Sequence, residues 1–331
     1  MADCNIQAGL FRFPEPNRRL FLLSIAFIII GAVFLVKGAD LLVDGGAGMA
    51  LKSGVSPLVV GLTVVAFGTS APELTASLIA AFKGAGDICF GNVVGSNVAN
   101  IALILGVTAM IRPVAVNPRL VRWELPFLVG ISAFTMYIGY AGSANIAIGI
   151  ALLLLFAVYL VHCMKSPPAP LEVDDDASHK SSAILITMIA IGIVGLGLGG
   201  WLFVEGAREI ARTLGVSEAV IGLTVVAFGT SLPELVTSGI AAVKGHSDIS
   251  LGNIVGSNIF NILLVLGATS VIRPFAISPD RYLMLVGLPL MMGLALMLLP
   301  MALTGKKISR KEGGVIFMVY IAYCAAAVVM S

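Results

Sequence analysis

Charged residues are scarce in this sequence. Asp, Glu, Lys and Arg make up 11% of its 331 residues, whereas hydrophobic residues make up 58%, and the mean hydropathy is +1.03. Soluble globular domains carry about 25% charged residues, so this composition excludes a soluble enzyme or binding domain. Apolar runs of about 20 residues, each long enough to cross a bilayer as a helix, fill most of the chain. We therefore predict an all-α membrane protein with no room for a soluble domain of ordinary size.

Other scarcities narrow the function. The net charge is only +2 and the basic residues are spread singly, so no nucleic-acid-binding face is expected. The four cysteines fall in no metal or redox spacing, so we expect neither a disulfide framework nor a zinc site, and no cofactor. The three histidines all lie in predicted loops or at span ends. None can serve as a membrane-buried base for a serine, which argues against an enzyme.

The apolar runs divide the chain into ten predicted transmembrane spans. Residues 1–19 are polar and form a predicted exposed arm, and the proline- and acid-rich segment 165–181 is a predicted linker, because its prolines and charges cannot enter the hydrocarbon. Two five-span units remain, 20–164 and 182–331. The predicted spans are about Leu20 to Val43, Pro57 to Phe82, Asn92 to Ile111, Trp123 to Tyr140, Asn145 to Met164, Ser182 to Arg208, Ala219 to Val243, Gly252 to Ile272, Tyr282 to Leu303 and Gly314 to Val329.

The two units repeat each other at an offset of 161 residues. The sequence GLTVVAFGTSAPE at residues 61–73 recurs at 222–234 with 12 of 13 identities, and 32 of 46 positions match between residues 61–106 and 222–267. Self-similarity at a fixed offset indicates a duplicated architecture. Because each unit has an odd number of spans, the second must enter the membrane from the opposite face. The sequence therefore predicts two inverted five-helix repeats with an ion site at their interface, near the membrane midplane.

Each copy of this first motif places a proline and a glutamate inside an apolar span. Pro72 and Pro233 lack an N–H, and their rings clash with the carbonyl four residues back, so we expect helices 2 and 7 to be broken near the Gly-Thr-Ser sequence. Such a break frees backbone carbonyls, expected around Ala66 to Thr69 and Ala227 to Thr230. In a bilayer a freed carbonyl needs a partner, and a bound cation can be that partner.

Glu73 and Glu234 are the only two of the 18 acidic residues that fall in mid-span. A charge there costs roughly 2.5–3.5 kcal/mol by insertion scales, so a compensating purpose is expected. The two carboxylates carry a charge that matches one divalent cation, and together with two freed carbonyls they supply about six oxygens, which suits Ca²⁺ better than Mg²⁺. The plainer alternative is a pair of Ser-x-x-Glu capping boxes starting at Ser70 and Ser231. Both roles can coexist.

A second motif, Gly-Asn-x-x-Gly-Ser-Asn-x-x-Asn, follows each copy of the first, at residues 91–100 and 252–261. Its small residues let helices approach closely, and its amides and hydroxyls can complete an ion shell or bridge helices. Simple helix packing is the alternative for each asparagine. The side chains that fit an ion site best share a helix face at i,i+4 spacing: Ser96 with Asn100, and Ser257 with Asn261.

With these two motifs the chain resembles the cation/calcium exchanger superfamily, of sodium/calcium exchanger type, whose paired repeats carry Gly-Thr-Ser-x-Pro-Glu and Gly-Asn-x-x-Gly-Ser-Asn. The resemblance implies antiport of Ca²⁺ against Na⁺ by alternating access, with Glu73 and Glu234 shared by the Ca²⁺ site. Some members have an aspartate where Asn261 stands, whereas here both central positions, Asn100 and Asn261, are amides. The resemblance also implies flanking Na⁺ sites that use Ala66, Thr69, Ser70 and Ser96 on one side, and Ala227, Thr230, Ser231 and Ser257 on the other.

Several alternatives stay open at this stage. Proton- or K⁺-coupled exchange is the main one, since the amide pair leaves the co-ion undecided. A channel would use the same oxygens but needs a continuous pore. Residues 84–87 match the Gly-x-Gly-Asp signature of membrane aspartyl proteases, but their repeat equivalent at 245–248 reads Gly-His-Ser-Asp, and no second aspartate lies in mid-span. We therefore expect a secondary antiporter and not an enzyme.

The distribution of Lys and Arg predicts the orientation. The loops after the odd-numbered spans hold 12 basic residues, and the arm together with the other loops holds 8. By the positive-inside rule the first group is cytoplasmic, so both termini are expected outside and the 165–181 linker inside. We expect a multi-pass protein of the plasma (inner) membrane that works as a monomeric transport unit, with Ca²⁺ and Na⁺ as substrates and the lipid bilayer as its surroundings.

Overall fold

The structure is a computed structural model that describes residues 18–165, 180–215, 227–278 and 280–330. Its helices are α1 (Arg18–Ser53), α2 (Pro57–Phe82), α3 (Gly86–Ile111), α4 (Leu120–Ala141), α5 (Ile146–Met164), α6 (Ser182–Thr213), α7 (Ala227–Thr230), α8 (Leu232–Val243), α9 (Ser247–Ile272), α10 (Leu288–Gly305) and α11 (Arg310–Met330). Five π-helical segments occur within or beside them: Gly61–Val65 in α2, Asn100–Leu105 in α3, Leu120–Glu124 in α4, Asn261–Leu266 in α9 and Leu283–Gly287 just before α10.

Length and composition make this a membrane protein. Within the described ranges, eight helices are long and apolar enough to cross a bilayer, and α8 is a shorter apolar helix. The prediction of an all-helical integral membrane protein is therefore confirmed. Parts of the predicted arm (1–17), linker (166–179) and seventh span (219–226) lie outside the described residues, and α1 already begins at Arg18, inside the predicted arm.

Four two-residue strands tie the loops of one half of the chain to loops of the other half. Strand β1 (Val114–Ala115) pairs antiparallel with β4 (Lys307–Ile308), and β2 (Ser143–Ala144) pairs antiparallel with β3 (Phe275–Ala276). Their registers bring Val114 opposite Ile308 and Ser143 opposite Ala276. The loops after α3 and α4 are thus held by backbone hydrogen bonds to the second half.

Burial separates a central group of helices from a peripheral pair. The most apolar 18-residue window of α3 is 78% buried and that of α9 is 83% buried, whereas the values for α1 and α6 are 17% and 33%. Helices α3 and α9 carry the second motif, whose small residues allow this close packing. Helices α1 and α6, here called the α1–α6 pair, lie at the periphery and present much of their surface to lipid.

Glycines bring the backbones of α1 and α6 into contact. A Cβ added to Gly38 would lie 2.9 Å from the carbonyl oxygen of Gly192, and one added to Gly31 would lie 2.7 Å from that of Gly199. Gly31, which comes before Gly38 on α1, faces Gly199, which comes after Gly192 on α6, so the two helices run antiparallel. The contact continues past the apolar run, because a Cβ at Gly45 would lie 3.1 Å from the carbonyl of residue 185. This explains why α1 extends to Ser53, beyond the predicted end of the first span.

The predicted break in helix 2 is wrong. Helix α2 is continuous through the Gly-Thr-Ser sequence and contains Pro72 in its interior. Two irregularities accompany the proline on its N-terminal side: a π-helical segment lies at Gly61–Val65, and the hydroxyl of Thr69 lies 3.3 Å from the carbonyl oxygen of Ala66. Proline is tolerated inside transmembrane helices when π-helical adjustments and Ser or Thr hydroxyls satisfy the freed groups in this way. The carbonyl of Ala66 is therefore partnered within α2.

Helix 7, in contrast, is broken at the predicted place. Helix α7 ends at Thr230 and α8 begins at Leu232, and the residue between them, Ser231, has φ −88° and ψ 1°. Pro233 then lies in the first turn of α8, where its missing N–H costs nothing. Two copies of one sequence motif thus adopt two backbone conformations.

We predict that substituting Gly38 by Ala destabilises the α1–α6 pair. The added methyl would lie 2.8 Å from the backbone nitrogen of Leu196, which is too close for van der Waals contact, and overpacking of this kind costs about 1–3 kcal/mol. The measurement is the apparent unfolding temperature of the detergent-solubilised protein. Gly197→Ala on α6 is the matched control, because nothing lies within 4 Å of its added Cβ. Equal unfolding temperatures for the two variants would show that the close contact is not required.

Candidate ion-binding site

Two buried carboxylates occupy the middle of the structure. Glu73 on α2 and Glu234 on α8 are each 1% exposed, and each has one carboxylate oxygen, Oε2, without a hydrogen-bond partner among the described residues. Across those residues, no group of three or more His, Cys, Asp or Glu side chains forms a metal cluster. Any further cation ligands at this place must therefore be hydroxyl, amide or carbonyl oxygens.

Ser70 connects the two carboxylates. It lies one turn before Glu73 on α2, and its hydroxyl donates to Oε1 of Glu234 at 3.3 Å. Residues three apart on a helix lie on the same face, so the side chain of Glu73 is directed to the side of α2 that meets Glu234. The two glutamates, which are 161 positions apart in the sequence, are thus neighbours in the fold.

The capping-box interpretation fits neither copy of the motif. Ser70 lies inside a continuous helix and its hydroxyl bonds to the other half of the chain. Ser231 is in the N-cap position of α8, yet its side chain makes no capping hydrogen bond, and it is 2% exposed. Both serine hydroxyls are therefore available to the buried carboxylate site.

Thr69 joins α2 to α9. Its hydroxyl donates to Oδ1 of Asn253 at 3.0 Å and lies 3.4 Å from the hydroxyl of Ser257. Close backbone approach makes this contact possible, since a Cβ on Gly256 would lie 2.8 Å from both the Cβ of Ala66 and the carbonyl oxygen of residue 62. Three residues predicted from the motifs, Ala66, Thr69 and Ser257, are thereby brought together.

Asn100 and Asn261 open the π-helical segments of α3 and α9. Both side chains are 1% exposed. In the described structure, Nδ2 of Asn100 and both Nδ2 and Oδ1 of Asn261 have no hydrogen-bond partner. Buried amides normally find partners, and π-helical turns occur frequently at functional sites. Helix packing alone does not explain two buried amides whose side chains lack hydrogen-bond partners.

The remaining predicted residues have different environments. Ser96 is 6% exposed on α3, and Thr230 is half-buried at the end of α7. Ala227 is the first residue of α7, and the residues of the second motif copy before it, 222–226, lie outside the described residues. The contacts between predicted site residues of different helices include those of Thr69 on α2 with α9.

Sequence reasoning missed two hydrogen-bonded pairs that join the helices of the two glutamates to the helices of the second motif. The amide of Asn92 donates to the hydroxyl of Ser77 at 2.8 Å and lies 3.4 Å from the carbonyl of Glu73, and the amide of Asn253 donates to the hydroxyl of Ser238 at 2.9 Å. The four residues are two sets of repeat equivalents at the 161-residue offset, which is the signal that would have found them. By contrast, Asn97 and Asn258 of the same motif donate to carbonyls one turn back in their own helices.

Comparisons with known proteins agree with this geometry. A family model described as "Sodium/calcium exchanger protein" matches residues 23–165 and 184–329. The chain is 37% identical over 317 residues to the putative antiporter CaxA of Alkalimonas amylolytica, covering 91% of this chain and 98% of that one. It is 32% identical over 339 residues to the sodium/calcium exchanger MaX1 of Methanosarcina acetivorans, covering 89% and 96%.

A solved structure shares the fold. The sodium-calcium exchanger NCX_Mj soaked with 10 mM Na⁺ and zero Ca²⁺ superposes with a TM-score of 0.81 at 34% identity, covering 92% of this chain and 99% of that chain. The resemblance stated from the motifs to the cation/calcium exchanger superfamily is therefore confirmed. This chain is an integral membrane protein of the sodium/calcium exchanger family, a cation/Ca²⁺ antiporter.

Proposed function

We propose that this protein exchanges Ca²⁺ for Na⁺ across the membrane by alternating access, with the ions bound between the two halves of the chain near the midplane. The observation that carries the proposal is the pair of buried carboxylates, Glu73 and Glu234, joined through Ser70 and each left with an unpartnered oxygen. An ionised carboxylate at bilayer depth needs a cation. One Ca²⁺ or two Na⁺ neutralise two such carboxylates equally, and competition for the same charge couples the two fluxes.

The oxygens around the glutamates suit hard cations. With the carboxylates included, the candidate oxygens come from three helices: α2 supplies Glu73, Ser70 and Thr69, α9 supplies Ser257 and Asn261, and α8 supplies Glu234. Ca²⁺ takes about 6–8 oxygen ligands in a flexible arrangement, so a shell drawn from several helices is appropriate to it. A shell assembled from several helices also changes when those helices move, which is what alternating access requires.

The described contacts support ten helices arranged as two inverted repeats. Gly31 and Gly192 are repeat equivalents, as are Gly38 and Gly199, and each glycine faces a glycine of the other repeat across an antiparallel contact. A two-fold axis lying in the membrane plane would carry each of these two contacts onto the other. Inverted repeats in transporters are related by an axis of this kind. In this arrangement α7 and α8 together form the seventh membrane helix, and α11 forms the tenth.

Contacts between loops follow the same symmetry. Asp87 accepts a hydrogen bond from the backbone of Ser278 at 2.6 Å, and Asp248 accepts one from the amide of Asn117 at 3.0 Å. Asp87 and Asp248 are repeat equivalents, and so are Asn117 and Ser278. With ten helices of alternating direction, the contact of Asp87 joins the start of α3 to the loop after α9 on one face of the membrane. The contact of Asp248 joins the start of α9 to the loop after α3 on the other face. The strand pairs β1–β4 and β2–β3 divide between the faces in the same way.

We predict that residues 165–181 face the cytoplasm and that both termini are external, with the protein in the plasma (inner) membrane. The basis is the count of 12 basic residues on the linker side against 8 on the other. Reporter fusions at both termini and in the linker measure this directly. An external linker would reverse the orientation, and termini on opposite faces would contradict the ten-helix arrangement.

We predict that Glu73→Gln and Glu234→Gln each abolish Ca²⁺ transport while leaving a folded, inserted protein, because each removes half of the negative charge that faces the divalent ion. The measurement is Na⁺-gradient-driven ⁴⁵Ca²⁺ uptake in proteoliposomes. Asp87→Asn is the matched control: its carboxylate is exposed and the amide oxygen can still accept from Ser278. Ordinary exchange by either glutamine variant would exclude the shared carboxylate site.

We predict that Asn261→Asp, and by symmetry Asn100→Asp, makes Ca²⁺ transport more sensitive to acid. A third carboxylate beside Glu73 and Glu234 is repelled by them and binds protons that then compete with Ca²⁺, so uptake should fall as the pH is lowered. The measurement is uptake across a pH series in wild type and both variants, repeated with K⁺ present. Unchanged pH profiles would return the two amides to helix packing. A wild type driven by protons or K⁺ without Na⁺ would favour the alternative co-ions.

A further inference from the structure

One ion-pair cluster connects the peripheral α1–α6 pair to the helices of the ion site. Lys244, which follows α8, contacts Oδ1 of Asp44 at 2.7 Å and Oδ1 of Asp40 at 3.0 Å, and both aspartates lie on α1. Burial by itself lowers the pKa of Lys244, but hydrogen bonds and charge from Asp44 and Asp40 outweigh it and raise the pKa above its usual value. Arg112 adds a bond from Nη1 to the carbonyl of Val243 at 2.6 Å.

The same residue types occur at the symmetric place, but they do not touch. Lys83, which follows α2, is the repeat equivalent of Lys244, and Glu205 on α6 is the equivalent of Asp44. Within the described part of the chain, no ion pair joins Lys83 to Glu205, and Lys83 is exposed. Arg273, the equivalent of Arg112, is likewise exposed, with no bond to the end of α2 among the described contacts.

Helix geometry places Lys83 and Glu205 at nearly equal depth on neighbouring helices. Helix α2 turns back after α1 and so runs parallel to α6, and the two meet where a Cβ on Gly68 would lie 2.7 Å from Ile193. At 1.5 Å per residue, Lys83 lies about 22 Å beyond that contact and Glu205 about 18 Å beyond it in the same direction. A shift of α6 along α2, together with the reach of the lysine side chain, would bring the two charges together.

We propose that these residues form two alternating latches, which hold the α1–α6 pair against the ion-site helices on one face of the membrane at a time. The Lys244 latch (Lys244, Asp40 and Asp44) is closed in this structure, and the Lys83 latch (Lys83 and Glu205) is open. Because α1 and α6 are joined along their backbones by glycines, they move as one body. Sliding that body toward the Lys83 face opens the first latch and closes the second.

Space for this movement exists beside the closed latch. A cavity of about 480 Å³ lies between α1, α3 and α8, and its lining includes Asp40 and Lys244 together with apolar residues such as Val36 and Val107. The ion pair therefore lies at the edge of an open groove beside α1 and α8. Both latches also lie outside the carboxylate site, so they control which face the site opens to without binding the transported ions. The proposal rests on the alternating-access function proposed above.

The test is a crosslinking assay for the open latch. In a background without native cysteines, Lys83→Cys and Glu205→Cys are introduced together, and the rate at which a short bis-methanethiosulfonate reagent joins the two thiols in membranes is measured by mass spectrometry, because a direct disulfide would need Cα atoms within about 7 Å. Adding Lys244→Gln should raise this rate about five-fold, which is the population shift expected for losing a partly exposed ion pair. Asp44→Asn should act in the same direction. Lys37→Gln is the control, because it removes one positive charge from α1 at an exposed position.

The crosslink should also stop exchange, and reduction should restore it. A crosslinking rate that is unchanged by Lys244→Gln and Asp44→Asn, or thiols that react with maleimide but never join, would overturn the proposal. The two proposals fail separately. If the protein shows no Na⁺/Ca²⁺ exchange but the latch variants still change the crosslinking rate, the latch proposal holds and the proposed pair of transported ions is wrong. If the wild type exchanges Ca²⁺ for Na⁺ but the latch variants crosslink at the rate of the control, the proposed function holds and the latch proposal is wrong.

Discussion

A carboxylate that moves from water to the middle of a bilayer loses its hydration, and Glu73 and Glu234 both bear this cost, being 1% exposed. Hydrogen bonds from the protein replace that hydration only in part, since the described structure gives Glu234 one serine hydroxyl and leaves an oxygen of each carboxylate without a partner. The deficit is the basis of the cation site that we propose here. A protein that satisfied both carboxylates completely would have no use for an ion there.

The packing of the surrounding helices places further oxygen-bearing side chains near the two carboxylates. Helices α2 and α9 approach until a Cβ on Gly61 or Gly252 would meet the backbone of the other helix, at 2.7 Å and 2.8 Å. This proximity places the hydroxyl of Thr69 among the side chains of α9. The asparagine–serine pairs then fix α2 to α3 and α8 to α9 on either side of the carboxylates. Small residues are therefore required for the site's geometry as well as for packing in lipid.

The sequence predicted the membrane class, the family and the residues around the carboxylates, because a duplicated motif marks the same positions twice. It failed where a contact depends on another helix. Lys37 precedes Asp40 by one helical turn, yet the structure pairs Asp40 with Lys244 from the other half of the chain. Ser77 is distinguished in the sequence only by its repeat equivalence to Ser238. Local spacing identifies candidate partners on one helix, and only the tertiary packing decides between them.

The two copies of the first motif show the same limit more sharply. Pro72 lies inside a continuous helix and Pro233 follows a break at Ser231, although 12 of the 13 motif residues are identical. The one difference within the motif, Ala71 against Leu232, lies directly after the break, and the contacts of the two copies differ as well. Gly68 packs against Ile193, and Gly229 packs against Val204, which directly precedes Glu205 on the same α6 helix. The continuous copy of the motif and the broken copy therefore pack against different residues of one helix, and the surroundings of each copy go with its conformation.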